Sequence, residues 1–217
     1  MISLTRRNLG VAAGMATAVA LSAGSLIAFS ANASPSAEAG AVAPAFTGTT
    51  SGGDLVSLAD FSDKTVVLEW TNDGCPFVKK HYAEPVKNMQ TLQSDAAADD
   101  IVWLQIISSA PGKQGYADGA RADELNVNRG AAPSYTILDP EGVIGRAYGA
   151  KTTPHMFVIT PNDQTIAYAG AIDSVRSANP ADIAGATNYV TAALTSLEAG
   201  EPVEVASTAP YGCSVKY

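Results

Sequence analysis

Ile101 to Ser108 is apolar at both alternating sets of positions, a pattern that suits a strand covered on both faces. Such strands belong to parallel sheets packed between helices, so the chain is directed early toward α/β architectures. A second β-branched run, Thr65 to Trp70, precedes it and leads through Thr71-Asn72-Asp73-Gly74 into Cys75-Pro76-Phe77-Val78-Lys79-Lys80-His81-Tyr82. A glycine turn there hands the chain to a helix, with Pro76 at a first-turn position it tolerates well. Cys75 therefore stands at a helix start. Unpaired N–H groups and the positive end of the helix dipole favour its thiolate, the form that acts as a nucleophile.

Residues 1–33 carry the three parts of an export signal: Arg6-Arg7, the apolar run Val11 to Phe29, and Ala31-Asn32-Ala33. The mature chain is expected to start at Ser34 in an exported, periplasmic compartment. Thr5-Arg6-Arg7-Asn8-Leu9 is compatible with a twin-arginine route as well as with ordinary secretion, and an uncleaved leader would leave an N-terminal anchor. Once the leader is cut, no stable membrane insertion is expected. The 13 basic and 21 acidic residues give a net charge of −8. Losing Arg6 and Arg7 with the leader takes this to about −10, which leaves no basic face for nucleic acid and serves solubility.

The remaining length suits one domain. Residues 34–45 read as a flexible linker, 46–199 as the folded domain and 200–217 as a C-terminal tail carrying Cys213. Within the domain, Phe46 to Leu58 suggests a hairpin around Ser51-Gly52-Gly53-Asp54. A helical stretch follows Cys75 to about Ser94, with a break available at Pro85. Gly112 to Val127 has helical character, Ser134 to Leu138 reads as a strand and Val143 to Tyr148 as a short helix. Met156 to Thr160 and Thr165 to Tyr168 form an antiparallel hairpin, and a helix from Ala181 to Leu197 closes the domain before Gly200 and Pro202. There is no internal repeat.

This order, a βαβ unit followed by a hairpin and a closing helix, describes an α/β domain with a mixed sheet flanked by helices. It resembles the thioredoxin-like superfamily over roughly Phe46 to Leu197, with the N-terminal hairpin and C-terminal tail added to that fold. Three elements carry the resemblance: the strand, loop, cysteine and helix around Cys75; Lys151-Thr152-Thr153-Pro154-His155-Met156-Phe157-Val158-Ile159; and the hairpin and helix that follow. The Cys75-Pro76 step resembles the redoxin branch, the alkyl hydroperoxide reductase and thiol-specific antioxidant (AhpC/TSA) type. The Cys75-Pro76-Phe77-Val78 run and the terminal Gly212-Cys213-Ser214-Val215-Lys216 are similar to those of a set of exported redoxins. The resemblance implies a cis Thr153-Pro154 bond lying against the active cysteine. Two departures matter. Dithiol members carry a second cysteine where this chain has Val78, so no local dithiol forms. Asn72 stands where a peroxiredoxin has Thr or Ser to position peroxide, which counts against direct peroxidase activity.

Only two cysteines are present, and an exported compartment allows both to be oxidised. The resemblance implies a thiol-dependent oxidoreductase that needs no cofactor. Cys75 attacks a disulfide or hydroperoxide, Thr153 and Pro154 shape the site and hold an extended substrate backbone, and Cys213 resolves the intermediate from a flexible tail. A protein thiol partner would supply electrons. The rival reading is a non-catalytic module that binds peptide or metal, with Cys75 and Cys213 in a structural disulfide. In a third, Cys213 is an unrelated free thiol.

Several other groups are read both ways. His81 and His155 raise metal binding, yet no cysteine pairs closely with Cys75 and His81 falls on another helix face. Lys79, four residues after Cys75, is either a thiolate stabiliser or a surface lysine. Glu69 is either an inward proton relay or an outward strand residue. Arg121 and Arg146 are anion stabilisers by residue type alone, and otherwise surface pairs.

Overall fold

The computed structural model describes residues 37–217; the export signal and the first residues of the linker lie outside them. β1 (Thr47–Thr50) and β2 (Leu55–Ser57) form the N-terminal hairpin. β3 (Val66–Trp70) leads to α1 (Pro76–Tyr82), α2 (Asn88–Ala98) and β4 (Val102–Ile107). α3 (Gly119–Arg129), β5 (Tyr135–Leu138) and α4 (Val143–Ala147) follow. The chain then forms β6 (Thr152–Thr153), β7 (His155–Ile159), β8 (Ile166–Gly170), α5 (Tyr189–Glu198) and β9 (Cys213–Ser214).

Seven strands make one mixed sheet in the order β2-β1-β5-β4-β3-β7-β8. β3 is central, parallel to β4 and antiparallel to β7, with Trp70 level with Ile106 on one side and His155 on the other. Every residue of β3, β4 and β7 is buried, as the unbroken apolar reading of Ile101 to Ser108 requires. One face packs Leu68, Trp70, Leu104, Ile106, Ile137, Tyr148 and Phe157; the other packs Val67, Trp103, Met156 and Val158 against α1, α2 and α5. Side chains alternate across a strand, so neighbouring residues feed opposite cores.

The break available at Pro85 is taken: the stretch after Cys75 is two helices, separated where Pro85 follows a cis bond from Glu84. The elements differ from the sequence reading in three places. Residues 112–118 are turns, because Gly112 and Gly115 take positive φ; α3 begins only at Gly119, behind the Asp118 cap. The closing helix starts as a 3-10 turn at Pro180–Gly185, and α5 is capped separately by Asn188, whose side chain accepts from Val190 and Thr191. The described part of the linker, residues 37–45, is not free. It lies along β8, exchanging hydrogen bonds Gly40 N–H to Ile166 O, Ile166 N–H to Ala41 O and Ala43 N–H to Gln164 O. β8 is an outer strand whose free polar groups need partners, and this segment supplies them.

Candidate active site

The loop before α1 is held by Asn72. Its Oδ1 accepts from Gly74 N–H at 2.9 Å and its Nδ2 donates to Gln114 O at 3.0 Å, while Gln114 Nε2 returns a bond to Gly74 O. A side chain on Gly115 would collide with Asn72, so glycine is what lets this loop close on it. Asn72 thus uses its amide on the loop backbone. Cys75 then caps α1, its carbonyl accepting from Val78 and Lys79.

The Cys75 side chain is fully buried, and its Sγ lies 3.1 Å from Thr153 O. The Thr153-Pro154 bond is cis, as the resemblance implied. On the other side of Thr153 sits the C-terminus of the chain: β9 pairs antiparallel with β6, placing Cys213 opposite Thr153 and Ser214 opposite Thr152. Both cysteines are free thiols in one packed cluster. Cys75, Thr153, Pro154 and Cys213 are therefore brought together, although Cys213 lies far away in sequence.

Burial pushes the Cys75 thiol up, but the polar groups nearest it, from Cys213, Thr153 and Val78, outweigh that and hold it below its ordinary value. The Thr153 hydroxyl is buried without a hydrogen-bond partner among the described residues. Cys213 moves the opposite way. Burial and the neighbouring Cys75 sulfur raise it to about 11, with Lys216 opposing. The two thiols are thus shifted in opposite directions, so Cys75 loses its proton before Cys213 as pH rises. Cys213→Ala removes one donor while leaving the N–H in place, so the Cys75 midpoint in an ultraviolet thiolate titration is expected to rise. An unchanged midpoint would show that the Cys213 thiol contributes nothing to Cys75.

The tail is not the flexible arm that its glycine, proline and serine content suggested. Tyr211 is buried, Tyr217 OH donates to Ala150 O at 2.9 Å, and Val215 N–H and Ala110 N–H bond to Lys151 O and Lys216 O. Thr208 Oγ1 takes Ala171 N–H at 2.9 Å and meets Tyr168 OH. Tyr211 packs its ring edge-on against Phe77 of α1, centroids 5.8 Å apart, and donates its hydroxyl to Asp173 Oδ1. Asp173 also accepts from Val175 N–H and pairs with Lys80 Nζ at 2.8 Å, both partners being buried. Tethered this closely, the tail is a strap over Cys75.

Of the two readings of Lys79, the structure agrees with the surface one. Lys79 is exposed, whereas Lys80 points inward and binds Asp173, Val175 O and Tyr211 OH. Glu69 does face inward, but it accepts from Tyr82 OH, Gln93 Nε2 and Trp103 Nε1 and makes no bond to Cys75, so it braces α1, α2 and β4. His81 and His155 are both pushed down to about 4, first by burial, then for His81 by Lys80 and for His155 by Lys151; Asp173 opposes the shift at His81. They stand apart, and among the described residues no three His, Cys, Asp or Glu side chains gather where a metal could bind. Arg121 pairs with Glu124 and Asp73; Arg146 lies over the Tyr217 ring. A hollow of about 370 Å³ beside the loop is lined by Asp73, Val78, Lys79, Tyr82, Leu125, Asn128 and Arg129, and by neither cysteine.

A thiol heading the helix after a central strand, met by the carbonyl before a cis proline, is an arrangement of the thioredoxin-like class, and the sheet around it agrees. Within that class the chain belongs to the AhpC/TSA family, whose profile matches residues 39–169. The matched region includes Cys75 and Pro154 but stops short of Cys213. No curated protein matches the chain. Among solved structures, it is similar to an uncharacterized conserved protein from Geobacillus kaustophilus, with 25% identity, a TM-score of 0.70 and coverage of 82% of this chain and 92% of that one. A hypothetical protein from Sinorhizobium meliloti 1021 is similar at 22% identity and a TM-score of 0.67, covering 81% and 92%. A secreted Mycobacterium tuberculosis disulfide oxidoreductase homologous to E. coli DsbE is a more distant likeness, at 22% identity and a TM-score of 0.43, covering 56% and 79%. Family membership makes this a redox protein. Among the described residues no helix is long and apolar enough to cross a membrane.

Proposed function

We propose that the chain is an exported thiol-dependent oxidoreductase whose redox pair is Cys75 and Cys213. The observation that carries this reading is the β6–β9 pairing, which sets Cys213 opposite Thr153, the residue whose carbonyl contacts the Cys75 sulfur. Export rests on the leader in residues 1–33. In the forward step the Cys75 thiolate attacks one sulfur of a substrate disulfide. That S–S bond breaks, one substrate thiolate leaves, and a mixed disulfide remains on Cys75. Cys213 then attacks the Cys75 sulfur, releasing the second substrate thiolate, which takes up the Cys213 proton. The product is a Cys75–Cys213 bridge; two electrons have passed to the substrate, and a partner dithiol returns them. Thr153 and Pro154 wall the reacting sulfur, and the Thr153 edge takes an extended substrate backbone only when β9 lifts from it.

A disulfide substrate is favoured over a hydroperoxide. The Asn72 amide is engaged with Gly74 and Gln114, so it offers no group to align a peroxide over Cys75.

The reading is tested by oxidising the reduced protein with glutathione disulfide, then mapping thiols by alkylation and mass spectrometry. A loss of two hydrogens with Cys75 joined to Cys213 is expected. Cys75→Ser should abolish exchange, and Cys213→Ser should accumulate glutathione on Cys75. A bridge that glutathione cannot reduce, together with no partner trapped by Cys213→Ser, would sink the enzyme reading in favour of a peptide-binding module.

A further inference from the structure

From the contacts between the tail and α1, we infer that Tyr211 is the positioning residue for Cys213, bolting the tail to the same helix that Cys75 begins. The inference rests on the redox-pair reading. Cys75 and Lys80 lie at the two ends of one short helix, and Tyr211 and Cys213 lie two residues apart on the tail. Between them, Tyr211 OH donates to Asp173 Oδ1 while Asp173 Oδ2 holds Lys80 Nζ at 2.8 Å. Lys80 Nζ also stands 3.4 Å from the Tyr211 oxygen and 5.6 Å from its ring centre, and Phe77 of the same helix packs on that ring.

All these groups are screened from water, so the bolt is stiff where a solvent-exposed contact would be loose. Lys80 is 1% exposed, Asp173 3% and Tyr211 3%. Hydrogen bonds to a charged group are among the strong ones, and no water competes for Asp173 here. Only Gly212 separates the bolt from Cys213. Its bare Cα permits a backbone approach in which an added Cβ would lie 2.0 Å from Thr153 O, so motion at Tyr211 passes to Cys213 with little slack. Tyr211 need not touch a substrate. Its effect is on the effective concentration of Cys213 against Cys75, and hence on how readily the bridge closes.

The test is the equilibrium between the Cys75–Cys213 pair and a series of glutathione buffers, measured for the full chain and for Tyr211→Phe. Removing the hydroxyl keeps the ring on Phe77 but breaks the bond to Asp173. The bridge is expected to become about tenfold less favoured, a rise of ~30 mV in the reduction potential of this two-electron couple. Tyr217→Phe serves as the comparison, because it loosens the tail beyond Cys213 without touching α1, and its shift should stay below about threefold. Equal shifts in the two variants, or a Tyr211→Phe value within about twofold of the unmodified chain, would overturn the positioning role. Should Tyr211→Phe fold poorly, Phe77→Leu loosens the same ring without unpairing Asp173, and a shift in the same direction is then required. If the unmodified chain forms no bridge in any buffer, the redox pair itself is refuted. A bridge that forms normally but ignores Tyr211 refutes the bolt alone.

Discussion

Lys80→Ala is expected to destabilise the folded chain by roughly 3–5 kcal/mol, while the same change at Lys79 stays within about 0.5 kcal/mol. The two lysines are neighbours in sequence and opposites in environment. Lys79 reaches solvent, so truncation removes little that water does not replace. Lys80 Nζ is buried against Asp173 at 2.8 Å, and truncation leaves that carboxylate in the interior with the Tyr211 hydroxyl and the Val175 N–H but no cation. An uncompensated buried charge is far costlier than the net gain from making the pair. Urea unfolding of both variants under reducing conditions measures the difference. A Lys80→Ala loss below about 1 kcal/mol would mean that Asp173 finds water or a new partner, and that the interior near the tail is softer than its burial indicates.

That contrast marks where the sequence stops being readable. Cys75 and Pro154 can be singled out because each is announced locally, by a strand, a glycine turn and a helix start in one case and by a Thr-Pro before an apolar strand in the other. The unbroken apolar run at Ile101 to Ser108 identified a strand covered on both faces, and β4 is such a strand. Glu69 was legible in direction by alternation, but not in role, since its three partners come from α1, α2 and β4. Lys80 had no such signal. Its partner Asp173 lies 93 residues away in a segment with no pattern, and only the packing of β8 and the following loop on α1 brings the two together.

The tail and the linker share one cause of error. Both are rich in Ala, Ser, Pro and Gly, a composition that reads as flexible because it lacks apolar periodicity. Backbone pairing needs no periodicity. Residues 37–45 bond to β8 and residues 213–214 bond to β6, in each case through main-chain groups that any sequence carries. The tail's two aromatic residues fix it in register, Tyr211 by burial and the exposed Tyr217 through its hydrogen bond to Ala150 O. The presence of Cys213 in the tail was plain, but its place opposite Thr153 was not.

Gly212→Val is expected to raise the rate at which iodoacetamide alkylates Cys75 by about 100-fold. Gly212 takes φ +132, a conformation that side chains rarely adopt, and its Cα lies so close to Thr153 that a Cβ would come within 2.0 Å of the carbonyl oxygen and 2.8 Å of its carbon. Backbone strain of this kind costs roughly 1–3 kcal/mol, and the overlap with a fixed main-chain atom adds to it. Neither can be relieved by a rotamer change, so β9 must lift from β6. A total of about 3 kcal/mol against the closed strap corresponds to roughly a hundredfold greater opening. Because Cys75 is wholly covered in the closed form, its alkylation rate follows the open population. Gly185→Val is the control, since an added Cβ there meets nothing within 4 Å. Peptide mapping after timed alkylation separates the two thiols. A rise of less than about threefold at Cys75 would show that reagent reaches the sulfur without moving the strap, and the tail would then be a neighbour of the site but not its cover.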